Sequence, residues 1–299
     1  MGRTAPLPAH LEGRAFHVDE ARAAGVSRSR TRASDLDRPF RGVRAPHEPQ
    51  SVLTRCEAYA VRMTASQYFS HATAALLQGL PVAARGASPS IHVTSTGIRE
   101  PRMLGVFGHV GQPGVRIIEV DGLRMSHPID TWCALASSVS IEDLVLLGDA
   151  LVRRKNPLAT MGELGEAVAA FRGHRGVRKL AAALALVRPG TDSPPEGLIR
   201  LMLARAGLPE PIVNFVIVNS AGEFLALGDL AYPEYRILIE YDGEYHFGNA
   251  EQVHHDIDRL EGVMADDWRV IRFNKTHLPR EAHVAATVRN ALLARGWRP

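Results

Sequence analysis

The chain has 299 residues, 45% hydrophobic and 22% charged, with a formal net charge of +3 and two cysteines. The length predicts two or more domains and the composition a globular protein rather than a disordered one. No apolar run approaches the roughly 20 residues of a membrane span, MGRTAPLPAHLEGRAF lacks a signal-peptide core, and the isolated Cys56 and Cys133 argue against a disulfide framework or a cysteine-based zinc site; a cytoplasmic protein with no membrane partner is expected.

In chain order, residues 1–8 read as a disordered tail. FHVDEARAAGVS reads as a short helix ending at Gly25. Ser27 then caps a second helix, SRSRTRASDL, with Arg28, Arg30 and Arg32 in its first turns. PFRGVRAP follows as an extended piece carrying Arg41 and Arg44. Two short helices and a basic extended segment predict a winged helix-turn-helix over 9–48 that binds DNA through these five arginines. A mixed α/β region is expected over 49–125: helical pattern over 52–80 with a break at 64–67 and a stop at Gly79, then strands in IHVTST, VFGHV and VRIIEVDGLRMS. A helical region over 126–190 opens with Pro128 in a first turn and carries two capping patterns, Ser140 with Asp143 and Thr160 with Glu163.

The segment 191–299 is the most readable. SPPEGLIRLMLARAGLP is a helix with Ser193 as cap and Gly207 as stop. PIVNFVIVNSAGEFLALGDLAYPEYRILIEYDG gives three antiparallel strands with turns at NSAG and YPEY. NAEQVHHDIDRLEGVMADD is a helix and WRVIRFNK a last strand, which the crossover makes parallel to the strand before the helix. The fold class expected for the whole chain is α+β multidomain, with this order, α-βββ-α-β, at the C-terminus. Charge divides similarly: residues 1–190 hold 24 Lys+Arg against 16 Asp+Glu, and residues 191–299 hold 11 against 16. A basic front suits phosphates and an acidic back suits a cation.

On the third of these strands, Leu238, Glu240 and Asp242 point to one face. Asp229 lies across the hairpin, within reach of Glu240. Carboxylates crowded at a sheet end repel one another, and a hard divalent cation with oxygen ligands relieves that repulsion. The arrangement suits metal-assisted phosphodiester hydrolysis. Glu196, three residues after Ser193, fits either this site or a capping box. His246 is a candidate acid or base. Asp256 and Arg259 stand three apart and can pair on a helix surface.

GDLAYPE, LIEYDGEYH and the D-x-x-R of DIDR, set in that element order, resemble the very-short-patch-repair-like branch of the PD-(D/E)XK nuclease superfamily over residues 191–280. The resemblance implies a restriction-endonuclease-like fold in which Asp229, Glu240 and the main-chain carbonyl of Tyr241 bind Mg²⁺, with Mn²⁺ as a substitute, often joined by Glu196. It also implies that Asp256 and Arg259 organise the site. The superfamily's usual lysine, two residues after the glutamate, is Asp242 here, which fits a further metal ligand, a base, or a domain that binds without cutting. The front of the chain, with PFRGVRAP and FSHATAALLQGLP, resembles AbiEi-type antitoxin proteins over residues 9–125, whose winged helix binds DNA and represses its own operon. Two readings follow. One is a metal-dependent DNA endonuclease, for which cutting both strands calls for a homodimer. The other is a non-catalytic, antitoxin-like regulator with a toxin or defence-operon partner.

Overall fold

A computed structural model of the chain describes residues 5–82, 90–97, 99–243 and 259–299. The chain is α+β and multidomain, with two compact units, Met1–Ser138 and Val139–Pro299, and three sheets among the described residues. The boundary falls inside the segment read as one helical region: the helix at 128–135 belongs to the first unit and the helices from 141 onward to the second. No helix among the described residues is long and apolar enough to cross a membrane.

In the first unit, strand β1 (Phe16–His17) pairs antiparallel with β2 (Val43–Arg44). Helix α1 (Val18–Ala23) starts where the His17 side chain accepts from the Asp19 N–H, with Asp19 and Glu20 in its first turn, where acids suit the helix dipole. The second helix expected over 27–36 does not form. Its place holds bends and one 3₁₀ turn, Arg30–Arg32. SRSRTRASD has no apolar stripe to bury, and its Ser, Thr and Asp side chains compete for the backbone. Only Thr31 and Leu36 in this stretch are buried, the latter with Leu11, Phe16 and Ala21. Nor is the start of the chain free over 5–8: Leu7 packs on that same cluster and the Ala5 carbonyl accepts from Arg30.

The rest of the first unit is a five-stranded mixed sheet in the order β5-β4-β3-β7-β6, with helices α2 (Val52–Ala60), α3 (His71–Leu77) and α4 (Pro128–Leu135). The expected break at 64–67 leads into β3 (Gln67–Phe69), which sits between β4 (Ile91–Ser95) and β7 (Leu123–Ser126). β5 (Val106–Val110) lies parallel to β4, and β6 (Ile117–Val120) turns into β7 through Asp121 and Gly122. Both turn residues have positive φ, 50° and 75°, the hairpin geometry that Asp-Gly favours. The core is Phe40, Val43, Tyr59, Phe69, Ile91, Val93 and neighbours. Cys56 and Cys133 are free and buried, and burial pushes both thiols up to about 12, so they act as small apolar groups.

In the second unit, α5 (Ile141–Leu151), α6 (Met161–Ala170) and α7 (Val177–Leu186) precede α8 (Pro194–Arg205). The predicted capping boxes of α5 and α6 form, with Ser140 and Thr160. The four-stranded sheet runs β11-β10-β9-β8, with β8 (Ile212–Val218), β9 (Phe224–Tyr232), β10 (Ile237–Asp242) and β11 (Arg269–Asn274). β8, β9 and β10 are an antiparallel meander and β11 is parallel to β10. Helical residues 259–265 (α9) precede β11 and α10 (Glu281–Ala294) follows it. One sheet face packs Leu230, Tyr232, Ile237, Ile239 and Phe273 against Ile199, Met202 and Leu203 of α8 and Val284 and Val288 of α10. The other packs Leu238 with Leu260 and Val263 of α9 and with Trp268. Helix α5 is tied to α8 by a buried ion pair: Arg200 donates to Asp149 over 3.0 Å, and the side chains are 1% and 4% exposed.

Candidate functional site

The acidic site starts where the β9–β10 ladder stops. Its last paired residues are Ile239 and Leu230, which leaves Glu240 and Asp229 as the next opposed positions. There the backbone partner of β10 is replaced by a side chain: the Tyr241 N–H donates to the Asp229 carboxylate over 2.8 Å. The Tyr241 ring packs on the core shared with α8 and α10. The apolar triplet Ile237-Leu238-Ile239 buries the strand on both faces and carries Glu240 inward with it, to 8% exposure.

Burial is the first cause that raises the Glu240 carboxyl above the usual range; the Asp242 charge adds to it and Arg259 opposes it. Asp229 is pushed up to about 7 by burial and then by the charge of Glu240. Glu196 is pushed up to about 7 by burial and then by the charge of Asp229. Burial first, and mutual repulsion second, thus make it unfavourable to ionise these carboxyls together. Oxygen donors of this kind suit Mg²⁺ or Mn²⁺.

Glu196 plays a different part. Its two oxygens accept from the Ser193 hydroxyl at 2.6 Å and the Asp192 N–H at 3.0 Å. No capping box forms, because Ser193 makes no hydrogen bond to the helix backbone. Glu196 closes the turn before α8 instead. Asp192, which the sequence reading passed over, adds a negative charge that acts on both Glu196 and Asp229 and is ion-paired to Arg154.

Two arginines face the acids of β10. Arg259 spans both oxygens of Glu240 at 3.3 and 3.4 Å, so the side chain expected to pair along its own helix reaches the sheet. Arg272 stands beside Glu240 in the parallel register and donates to Asp242 at 2.7 and 3.1 Å. Asp242 is thus an ion-paired residue at the strand end. His246 and Asp256 lie outside the described residues.

The five arginines predicted to bind DNA separate into two groups. Arg30 forms a two-pronged ion pair with Asp35 at 2.9 Å, and its side chain is 10% exposed. Arg28 and Arg32 are exposed on the 3₁₀ segment. Arg41 and Arg44 instead line a cavity of about 960 Å³ together with Arg38, Arg55, Arg62 and Arg102, with Glu48 the lining carboxylate. Arg44 donates to the Thr31 carbonyl; burial, then the nearby Arg38 and Arg32, pull it below the usual arginine value. Arg62 lies over the Tyr59 ring at 5.6 Å, and its Nε is buried with no hydrogen-bond partner among the described residues. Arg41 and Arg44 are the two residues of this cleft that the sequence singles out. Arg55, Arg62 and Arg102 reach it only through the fold.

Two uncharacterized proteins of Mycobacterium tuberculosis, from two strains, are each 29% identical to this chain over 237 residues, covering 79% of it and 84% of theirs. No family model matches the chain and no solved structure matches it.

Proposed function

We propose that the chain is a metal-dependent DNA endonuclease whose second unit has the very-short-patch-repair-like, PD-(D/E)XK form. The observation that carries the reading is the end of the β9–β10 ladder, where half-buried Asp229 and buried Glu240 stand opposed beyond the last ladder pair. The order α-βββ-α-β with a parallel β10–β11 pair supports it. Asp229, Glu240 and the Tyr241 main-chain carbonyl would hold Mg²⁺, or Mn²⁺ in its place. The ion would polarise a phosphoryl oxygen and offset its charge. Asp242, held by Arg272, does not replace the superfamily's lysine as a positive group. Arg259 and Arg272 supply that charge as fixed donors to a phosphate, and neither can act as a base. His246 remains the proposed acid or base. The arginine cleft of the first unit supplies phosphate contacts, through Arg38, Arg41 and Arg44, that hold a nucleic acid electrostatically.

The test is cleavage of supercoiled plasmid by the full chain with Mg²⁺ or Mn²⁺, beside Glu240→Gln. Nicked or linear product from the wild type and none from the variant is expected. No product from the wild type on supercoiled, mismatched or single-stranded DNA would remove the enzyme reading. One observation favours a second reading, a DNA-binding regulator that does not cut: Arg259 already spans both oxygens of Glu240. That reading predicts tight binding to the protein's own upstream DNA over random DNA at equal salt, with no cleavage.

A further inference from the structure

His71, His92 and His109 meet in the first unit, each partly buried, with one ring nitrogen from each within 4.8 Å of the others. They come from three separate elements. His92 lies on β4 and His109 on the adjacent parallel β5, where His109 is paired with Thr94. Paired positions share a face, and residues two apart on a strand do too, so His92 and His109 point the same way. His71 is the first residue of α3 and has φ 50°. A non-glycine residue in that region is uncommon, histidine less so than most.

His92 Nδ1 and His109 Nε2 are 3.0 Å apart. Two nitrogens on one tetrahedral Zn²⁺, each at about 2.0–2.1 Å, are separated by about 3.3 Å. The His71 ring stacks on His109 with centroids 3.8 Å apart; turning its plane toward the other two moves only a soft terminal torsion. His71 Nδ1 lies 2.9 Å from the Ser70 hydroxyl, which also accepts from Thr94 at 2.6 Å. The tautomer that donates Nδ1–H to Ser70 leaves Nε2 free, and such a partner on the other ring nitrogen is what metal-bound histidines have. The acids of the second unit belong to a different site.

We infer that His71, His92 and His109 form a three-histidine site for a borderline divalent transition metal, Zn²⁺ or a close analogue, with Ser70 orienting His71. Three imidazoles with no carboxylate select such ions over Mg²⁺ and Ca²⁺, which take oxygen.

The test uses tag-free, full-length protein stripped with a chelator and kept in excess Mg²⁺, which prefers the oxygen donors of the acidic site. Zn²⁺ is titrated calorimetrically, and Co²⁺ is followed by its visible ligand-field bands. One ion per chain is expected, with intense Co²⁺ bands that Zn²⁺ displaces. His92→Ala with His109→Ala abolishes both signals, Ser70→Ala weakens Zn²⁺ binding about 10–100-fold, and Glu240→Gln leaves both intact. Circular dichroism of the metal-free variants checks their folding. The wild-type titration decides even if a variant fails to fold: no stoichiometric uptake overturns the site. Stoichiometric uptake that survives in a folded His92→Ala, His109→Ala protein also overturns it.

Discussion

Replacing Asp229 by asparagine removes a half-buried charge and keeps an oxygen that can accept the Tyr241 N–H. In the wild type the Asp229 carboxyl moves from 3.8 to about 7 on folding, by burial and then by the charge of Glu240. A folded value above the unfolded one means that the folded state binds the proton more tightly. Stability is then fullest below the unfolded value and is lost as pH rises toward the folded one. For Asp229 the window runs from about 4 to about 7. The interval corresponds to about 4 kcal/mol of destabilisation at pH 8. That interval is already net of the charge-assisted hydrogen bond from the Tyr241 N–H. In metal-free buffer, Asp229→Asn is therefore expected to be more stable than the wild type by about 4 kcal/mol at pH 8, a gain that vanishes by about pH 4. The assay is urea unfolding at pH 4, 6 and 8 with a chelator present, following the transition of the second unit, where Trp268 and Trp297 lie. A variant equal to or less stable than the wild type at pH 8, or a difference that does not change with pH, would refute the reasoning.

Further outcomes follow from the same contacts. Affinity for Mg²⁺ should rise as pH increases through about 7, where the metal-free Asp229 loses its proton; an affinity that is flat or falls from pH 6 to 8, measured by calorimetry, would contradict this. Arg38→Ala combined with Arg41→Ala should lower the slope of log affinity for DNA against log salt by about 2, at about 0.9 per phosphate contact, whereas Arg28→Ala should leave it unchanged; filter binding at several salt concentrations measures both. Asp149→Ala removes the buried partner of the Arg200 guanidinium and leaves it the more exposed Glu210 at 3.2 Å, while its Nε has no partner among the described residues; the change should cost about 3 kcal/mol, read by denaturant unfolding of the second unit.

Much of the second unit was legible because its signals are local. Ile-Leu-Ile ahead of Glu240, the turn NSAG and the length of the crossover into WRVIRFN each act within a few residues or one connection. Glu240 stood out because a carboxylate directly after three buried apolar residues has no simple packing role. Glu196 was ambiguous in sequence because both of its readings use the same spacing from Ser193, and only the position of the hydroxyl proton's acceptor separates them. Helix spacing points Arg259 to Asp256, which lies outside the described residues, and the sheet adds Glu240, a partner that no local spacing reveals.

The first unit was harder for the opposite reason. SRSRTRASD carries arginines at helical spacing, yet Arg30 is held by Asp35 and the Ala5 carbonyl and the segment bends. Side-chain contacts of that kind outweigh propensity where no apolar face anchors a helix. The arginine cleft gathers residues from Arg38 to Arg102, and the histidine cluster gathers His71, His92 and His109. The histidine cluster has no spacing motif, because the parallel pairing of β4 with β5 and the start of α3 create its proximity.

Anomalous scattering from crystals of the full chain grown with Mn²⁺ tests the central claim most directly. A manganese peak within coordination distance of carboxylate oxygens of both Asp229 and Glu240, absent in Glu240→Gln, is the predicted result. A well-ordered site in which Arg259 still spans Glu240 and no manganese lies between the two carboxylates would contradict it.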